Sequence, residues 1–307
     1  MTAVPSLPPP APTRRRSVLS VPASDPRKTA KALAGPADQV VLDLEDAVEP
    51  GSKDRARGLL VAALRELPDS AVDRVTVRVN PARSPWCALD VAALAELPVL
   101  PGSLVLPKVE GPGDLAFLDR LLDGAEARSG RRRRTGVQAL VETAAGFAAL
   151  PETVRAGERL EALVLGYADL AASLGLVAAP ERRLALWLPV QTAVLVAARS
   201  RGVMAVDGPY LGVHVDQGFT ASAERARDLG FDGKWAIHPR QVEALNAVFT
   251  PSPEQVEHAR AVLDTLERAA REGAAGAVQL EGEMLDEAVA VAARRVLART
   301  EASTEAS

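Results

Sequence analysis

The chain has 307 residues, 48% hydrophobic and 25% charged, which is typical of a soluble globular protein with one large domain or two ordinary ones. The net charge of −4 argues against nucleic acid or an anionic membrane as the main partner. The single cysteine, Cys87, excludes an internal disulfide and a multi-cysteine metal site, and it is compatible with a reducing, cytoplasmic location.

The N-terminal segment, residues 1–13, contains five prolines and no apolar run, so we predict a disordered lead-in and not a signal peptide. From residue 17 onward, eight short apolar, β-branched runs alternate with longer segments rich in Ala, Leu, Arg and Glu. Near-continuous apolar runs are typical of strands in a parallel sheet that is covered on both faces. The eight runs are residues 17–22, 39–45, 75–80, 103–109, 137–142, 160–166, 203–208 and 234–239.

The segments between these runs have helical patterns, for example residues 52–67. Residues 222–230 are predicted as a helix with Ser222 as its N-cap and Gly230 as its C-terminal stop. The longest apolar stretch, residues 184–198, is too short to span a bilayer and is predicted to be a buried helix. Strands that alternate with helices in this way predict a (β/α)8 TIM barrel. The alternative is a doubly wound open sheet, whose Gly-x-Gly-x-x-Gly motif is absent after the first strand.

The C-terminal part of the chain carries two further helical patterns, residues 253–271 and 286–299, joined by a glycine-containing segment. A barrel needs only one closing helix, so this surplus is expected to pack over the barrel mouth or onto a neighbouring subunit. We therefore predict a barrel domain over residues 14–250, a helical extension over 251–299 and a frayed tail over 300–307.

Ionisable side chains recur where the predicted strands end. In a TIM barrel the carboxyl ends of the strands and the loops after them carry the catalytic groups, so these side chains are predicted to share one rim. In strand order from the second to the eighth, the polar residues are Asp43, Glu45, Asp46, Arg78, Asn80, Lys108, Glu110, Glu142, Asp169, Asp207 and His238.

The acidic residues on this rim suggest a hard divalent cation. Mg²⁺ takes oxygen ligands, usually one or two carboxylates with substrate oxygens and water, and Glu142 and Asp169 follow neighbouring strands. A metal in that position could polarise the carbonyl of a 2-oxo acid and stabilise an enolate. Arg78 offers a planar fork for a carboxylate or a developing oxyanion. The alternative is that the two acids cap the helices that follow their strands.

Two other rim residues have competing interpretations. Lys108 could form a Schiff base with a carbonyl substrate, or it could pair with Glu110 or a neighbouring acid. His238 could be catalytic or a hydrogen-bonded structural residue. The chain contains three histidines in unrelated patterns, which argues against a multi-histidine metal site.

Nine sequence blocks in a fixed order carry a resemblance to a known family. They are RRSVLSVPASDPRKTAKAL, VVLDLEDAVEPGSKDRAR, VRVN, LPKVE, LVETAAGF, LGYADLAASLG, VDGPY, LGFDGKWAIHPRQVEALNAVFTPS and LEGEMLD. On these blocks, residues 14–299 resemble the citrate lyase β-subunit-like family, which is related to the HpcH/HpaI aldolases and includes malyl-CoA and citramalyl-CoA lyases. The resemblance implies a (β/α)8 barrel that assembles into trimers or hexamers.

The resemblance also implies roles for individual residues of the rim. The Glu–Thr and Gly-x-x-Asp motifs of the family supply magnesium ligands, which correspond to Glu142 and Asp169. The Arg of its Arg-Val-Asn strand contacts the 2-oxo acid and corresponds to Arg78. Its Asp-Leu-Glu-Asp segment borders the waters of the metal, which places Glu45 and Asp46 beside them.

For coenzyme A, the resemblance implies basic contacts from Arg27 and Lys31 and backbone contacts to the thioester from Trp235 and Ala236. An Asp in the C-terminal segment of a neighbouring subunit, which corresponds to Asp286, acts as acid or base at the acyl carbon. The implied cofactors are therefore Mg²⁺ and a CoA thioester substrate.

The activity implied is a carbon–carbon lyase that splits a 3-hydroxyacyl-CoA, such as malyl-CoA or citramalyl-CoA, into a 2-oxo acid and acetyl-CoA. Thioesterase or malate-synthase side activity is part of this expectation. Two alternatives remain open: a citrate lyase β subunit that acts on a carrier-bound acyl group, and a non-catalytic protein that binds CoA or an acid. Ser20 and Ala23 depart from the usual pattern of the family and leave the acyl group undetermined.

Overall fold

The computed structural model describes residues 14–129, 134–176, 184–271, 278–280 and 282–301. Its centre is a closed barrel of parallel strands in the order β1 to β8, and β1 pairs with β8 through Val18 and Trp235. The strands are β1 Ser17–Pro22, β2 Gln39–Asp43, β3 Val75–Arg78, β4 Ser103–Leu106, β5 Gly136–Val141, β6 Leu160–Leu165, β7 Met204–Asp207 and β8 Gly233–Ala236. The predicted TIM barrel is thus confirmed.

Helices follow the strands around the barrel, and side chains cap the N-termini of some of them, such as Asp25 at the first. They are α1 Pro26–Leu33, α2 Lys53–Arg65, α3 Asp69–Val72, α4 Cys87–Leu94, α5 Pro112–Ser129, α6 Ala144–Ala148, α7 Leu150–Ala156, α8 Tyr167–Ser173, α9 Leu184–Ser200, α10 Gln217–Leu229 and α11 Arg240–Phe249. The start predicted for α10 is wrong: Asp216 is the N-cap and accepts the Phe219 N–H at 2.8 Å, while Ser222 is buried inside the helix. Gly230 ends the helix in the left-handed conformation, as predicted (φ 103°).

The helix predicted to be buried, α9, is buried along only one face. Trp187, Gln191 and Val194 lie in the interior, but Leu186 and Val196 are exposed. The polar positions within the stretch therefore do not mark its outer face, since Gln191 points inward to other polar groups. Among the described residues, no helix is long and apolar enough to cross a membrane.

Side chains at alternate positions of a strand lie on the same side of the sheet, and this period builds layers inside the barrel. At the amino end of the strands a polar layer is closed by Gln138, whose amide donates to Gln39 at 2.9 Å and to Ser103 at 2.8 Å. The next layer is apolar and consists of Val18, Val41, Val105, Leu140, Val164, Val206 and Trp235. Full burial of a side chain of this size stabilises the fold by about 1.5–3 kcal/mol.

A third layer of inward-facing residues lies at the carboxyl ends of the strands. Gln138 and Leu140 of β5 are followed by Glu142, and Gln39 and Val41 of β2 are followed by Asp43. The same period that fills the barrel with apolar side chains therefore places carboxylates directly above them, at the rim.

The chain divides into two compact units, residues 1–246 and 247–307. In the second unit, α12 Pro253–Arg271 packs on α13 Glu287–Glu301, and β9 Val278–Leu280 pairs antiparallel with β10 Glu283–Leu285. The buried residues of its core are Ala259, Val262, Leu285 and Ala293.

The predictions for the two chain ends stay largely untested. The lead-in over residues 1–13 lies outside the described residues, as does the tail from residue 302. The tail was predicted to begin at residue 300, but Thr300 belongs to α13, where its hydroxyl donates to the Val296 carbonyl at 3.0 Å. The domain limits given above, and the packing of the extension on a neighbouring subunit, stay predictions.

A candidate active site at the carboxyl ends of the strands

A cavity of about 130 Å³ opens at the carboxyl ends of the barrel strands. Three charged residues of the predicted site, Arg78, Glu142 and Asp169, line it together. The remaining lining residues are Ser20, Leu140, Leu165, Gly166, Tyr167, Ala168, Pro209, Trp235 and Ile237. The cavity wall thus combines a few charged groups with mainly apolar ones, a combination typical of small-ligand sites.

Arg78, the last residue of β3, is fixed by two carboxylates. Its Nε and Nη2 donate to Asp43 at 2.7 and 2.5 Å, and its Nη1 lies 2.9 Å from a carboxylate oxygen of Glu45. Its guanidinium carbon is 5.9 Å from the centre of the Trp235 ring. Burial works against its charge, but Asp43 and Glu45 outweigh burial and raise the pKa of Arg78. The guanidinium is therefore a permanently charged donor in one fixed orientation.

Glu142 follows β5 and is 1% exposed. Its Oε1 accepts the backbone N–H of Lys108 at 2.8 Å. Gly166 packs so closely that an added Cβ would lie 2.6 Å from the Glu142 Cβ. Burial, followed by repulsion from Glu45 and Asp169, raises the pKa of Glu142 to about 8. Lys108 and Arg78 oppose this rise without cancelling it, so a further cation beside Glu142 would favour its charged form.

Three more carboxylates surround the ammonium group of Lys108. It forms a short ion pair with the buried Glu45 and lies 3.6 Å from Asp46 and 4.0 Å from Asp169. Asp169 is in the first turn of α8, and both Asp46 and Asp169 are partly open to solvent. Burial raises the pKa of Glu45 in spite of its two basic neighbours, Arg78 and Lys108.

The interpretation of Lys108 as a partner of an acid is supported, although the partner is Glu45 and not Glu110. Burial lowers the pKa of Lys108, but Glu45 and the other carboxylates outweigh it and raise the pKa to about 12. A Schiff-base lysine needs an unprotonated amine near neutral pH. The environment of Lys108 therefore disfavours that chemistry.

Lys53 is a residue of the site region that our sequence analysis missed. Its ammonium donates to the carbonyls of Leu44 and Glu45, both at 2.7 Å, and it lies 5.4 Å from the centre of the Trp86 ring. These bonds hold the backbone that carries Glu45. A lysine at the start of a helix is an ordinary surface pattern, so only the folded structure reveals this role.

The prediction that Asp207 points to the rim is wrong. Its carboxylate is fully buried and accepts from the Lys234 ammonium at 2.5 Å and from the Tyr167 hydroxyl at 2.5 Å. The Gln191 amide of α9 donates to the same hydroxyl at 2.7 Å. Asp207 therefore belongs to a buried polar network that anchors Tyr167, whose side forms part of the cavity wall.

Two other rim residues have structural partners. The Asn80 amide donates to Asp90 at 2.7 Å, and Asn80 is buried. The His238 Nδ1 accepts the Arg240 N–H at 3.2 Å, which supports the structural interpretation of this histidine. The rim thus receives fewer functional groups than the sequence pattern suggested.

The residues predicted to contact coenzyme A fall into two groups. Trp235 and Ala236 are buried on β8, and Trp235 lines the cavity. Arg27 and Lys31 are exposed on α1, four residues apart, and do not line it. Residues at this spacing share a helix face, so the two basic groups form one exposed patch.

Asp286 lies in the second unit as the N-cap of α13. Its side chain is exposed and accepts the Val289 N–H at 3.0 Å. The local structure therefore gives Asp286 a capping role, which is compatible with a further role for its free oxygen.

The carboxylates of the cavity fit a magnesium ion by their chemistry. Among the described residues, no group of three or more His, Cys, Asp or Glu side chains forms a ready-made metal cage. Mg²⁺ does not need one, because it commonly uses one or two protein carboxylates and completes its shell with water and substrate oxygens. Glu142 and Asp169 are both on the cavity wall and repel each other, which a divalent cation between them would reverse.

A closed parallel barrel with acidic and basic groups collected at the carboxyl ends of its strands defines a TIM-barrel protein with its candidate site where enzymes of this fold carry theirs. Comparison with known proteins gives the family. The chain belongs to the HpcH/HpaI aldolase/citrate lyase family, whose model matches residues 16–239.

Two curated relatives match nearly full length. The chain is 38% identical to the L-malyl-CoA/β-methylmalyl-CoA lyase of Rhodobacter capsulatus, over 91% of this chain and 92% of that one. It is 36% identical to the citrate lyase subunit beta of Escherichia coli K12, over 94% of each chain. Among solved structures, CitE of Mycobacterium tuberculosis in complex with magnesium, acetoacetate and coenzyme A superposes with a TM-score of 0.74 at 31% identity. That match covers 93% of this chain and 98% of the other.

Proposed function

We propose that the protein is a magnesium-dependent CoA-ester lyase. It would cleave a 3-hydroxyacyl-CoA, such as malyl-CoA or citramalyl-CoA, to a 2-oxo acid and acetyl-CoA, or run the reverse condensation. The observation that carries the proposal is the joint placement of Glu142, Asp169 and Arg78 on the wall of one cavity. The lyase relatives and the CitE complex with magnesium and coenzyme A support it.

In this proposal Glu142 and Asp169 hold the metal ion, and Glu45 and Asp46 stand beside its waters. When bound, the ion supplies Lewis-acid polarisation of the 2-oxo group. Lys53 fixes the backbone of Glu45, and the Lys108 N–H fixes the carboxylate of Glu142, so these two groups would need little reorganisation when the ion binds.

Arg78 binds the carboxylate of the 2-oxo acid. Asp43 and Glu45 hold its guanidinium in a single orientation, and N–H donors remain for a ligand, since a guanidinium has five. Binding to a fixed fork orients the substrate carbonyl relative to the carbon that is attacked. Leu140, Leu165 and Trp235 line the same cavity and make the surroundings of the bound acid less polar.

Coenzyme A binds through the patch of Arg27 and Lys31, whose charges suit its phosphates, and through the backbone of Trp235 and Ala236. Asp286 of a neighbouring copy acts at the acyl carbon. It protonates the CoA enolate in cleavage and removes a methyl proton in condensation. This proposal requires a homo-oligomer, which we take to be a trimer or a hexamer.

A panel of CoA esters assayed with and without Mg²⁺ tests the proposal. We expect turnover of at least one 3-hydroxyacyl-CoA to a 2-oxo acid and acetyl-CoA, loss of activity in EDTA and recovery with Mg²⁺. A panel without turnover would contradict the lyase assignment. Activity that survives EDTA and is trapped by borohydride would point to Lys108 chemistry instead. The proposal includes thioesterase and malate-synthase side activities. The same assays detect them through the formation of free CoA and the net formation of malate.

The Asp286→Asn variant tests the acid/base role, because Asn preserves the N-cap of α13 while it removes the titratable group. We expect kcat to fall by about 10²–10⁴-fold with an unchanged melting temperature. Glu283→Gln, an exposed change in β10, is the matched control and should leave kcat unaltered. Full activity of Asp286→Asn would rule out the proposed role.

The Gly166→Ala variant tests whether the close packing against Glu142 matters. A Cβ at this position would lie 2.7 Å from the Glu142 carboxylate as well as against its Cβ, so Glu142 must shift. We expect kcat/KM to fall by about 10–10²-fold, since small displacements of catalytic groups cost this much. Gly58→Ala in α2, where nothing lies within 4 Å of the added Cβ, should leave kcat/KM unchanged.

The similarity to the citrate lyase β subunit supports a second candidate, action on an acyl group carried by a partner protein. Turnover of free CoA esters by the isolated chain would argue against it. Turnover that appears only with an acyl-carrier protein would favour it.

A further inference from the structure

The backbone of Lys108 adopts a conformation that its residue type avoids. Among the described residues, Lys108 is the only one other than glycine with a positive φ, at 51°. A side chain with a Cβ enters this region only at an energetic cost, and such strain is retained where surrounding contacts impose it. The contact here is the N–H of Lys108, which donates to Glu142 Oε1 at 2.8 Å. The strain therefore serves the orientation of Glu142.

The side chain of Lys108 makes a second set of contacts with the same group of acids. Its ammonium pairs with Glu45 and lies within 4.0 Å of Asp46 and Asp169. Lys108 itself follows β4, whereas these carboxylates follow β2 and β6, so the side chain reaches across the mouth of the barrel. Ordering a long lysine side chain costs conformational entropy, which attraction to several carboxylates offsets.

We propose that Lys108 is a positioning residue that acts as an internal counter-ion: it holds the site carboxylates together in the absence of metal and weakens their affinity for a divalent cation. The inference rests on the proposed function, because it takes Glu142 and Asp169 as the metal ligands. A positive charge 4.0 Å from Asp169 repels any cation that binds there. The same charge neutralises Glu45, which would otherwise add to the attraction.

This role predicts an effect opposite to that of a merely structural residue. Loss of a structural contact loosens the carboxylates and weakens metal binding. Loss of a competing charge strengthens metal binding, although it leaves the metal-free protein less stable because the acids then repel one another without compensation.

The test is the binding of Mg²⁺ and of Mn²⁺ alone to the full chain, measured by titration calorimetry without substrate. Lys108→Met removes the charge at similar length, and we expect its Kd to be at least about tenfold lower than that of the wild type. The melting temperature of metal-free Lys108→Met should fall, and its gain on metal addition should exceed that of the wild type. Lys108→Arg keeps the charge and should retain the wild-type Kd.

Arg120→Met is the control for the removal of a distant exposed charge and should leave the Kd unchanged. An unchanged or higher Kd for Lys108→Met would overturn the role of Lys108, while metal binding and turnover by the wild type would leave the proposed function intact. If the wild type binds no Mg²⁺, or if Glu142→Gln binds Mg²⁺ as well as the wild type does, both the role of Lys108 and the proposed function would be overturned.

Discussion

Replacement of Glu142 by Gln is expected to lower kcat/KM for CoA-ester cleavage by about 10³-fold, because loss of a metal ligand removes several kcal/mol of transition-state stabilisation. The side chain is almost fully buried, and Gln preserves its shape and can still accept the N–H of Lys108 through its amide oxygen. Burial raises the pKa of Glu142 to about 8, so its charged form is unfavourable without metal, and the metal-free variant should be at least as stable as the wild type. Steady-state kinetics and thermal melting of the same samples measure both effects.

The control for this substitution is Glu158→Gln, which removes an exposed charge outside the cavity. It should leave kcat/KM and its Mg²⁺ dependence unchanged. Wild-type activity of Glu142→Gln with unaltered Mg²⁺ dependence would mean that Glu142 holds no metal. The proposed ligand pair would then have to be abandoned.

Replacement of Asp207 by Asn is expected to lower the free energy of unfolding by about 3–5 kcal/mol, because it leaves the fully buried ammonium of Lys234 without a counter-charge. Asn retains the volume and can still accept the Tyr167 hydroxyl, so the loss reports chiefly on the charge. Urea denaturation followed by circular dichroism measures the change.

Two further variants make the result specific to this pair. Asp228→Asn breaks the exposed pair with Arg227 on α10 and should cost less than about 1 kcal/mol. The double variant Asp207→Leu/Lys234→Met removes both charges and should recover part of the lost stability. A single Asp207→Asn variant as stable as the wild type would show that Lys234 is not charged in the fold.

The strands were predictable because a parallel barrel covers both faces of its sheet. Every strand begins within one residue of the predicted run, but several end one to three residues early, as where β4 stops at Leu106. Glu45 and Asn80 lie beyond the strand ends, and their backbone N–H groups donate to the side chains of Asp43 and Asp90 and not to a neighbouring strand. The start of α10 was missed because the sequence offers two possible N-cap residues, Asp216 and Ser222, and only one of them can begin the helix.

The sequence predicted that the candidate site lies at the carboxyl ends of the barrel strands. Parallel strands have their carboxyl ends at one side, so Arg78 and Glu142 had to lie near each other once the barrel closed. The direction of each side chain was not predictable in the same way. Near-continuous apolar runs lack the alternation that marks an inner and an outer face, and for this reason Asp207 was assigned to the rim although it faces Lys234.

The sequence by itself determined the barrel, the family and the carboxyl-end position of Arg78, Glu142 and Asp169, because these depend on strand order and on local motifs. Only the tertiary structure decided which charges meet. Lys108 pairs with Glu45 across 63 residues of chain, and Lys234 pairs with Asp207 across 27. Such pairs depend on barrel closure and on how far a side chain reaches across the barrel mouth. Neither can be read from the hydrophobic periodicity or the secondary-structure propensity of a single segment.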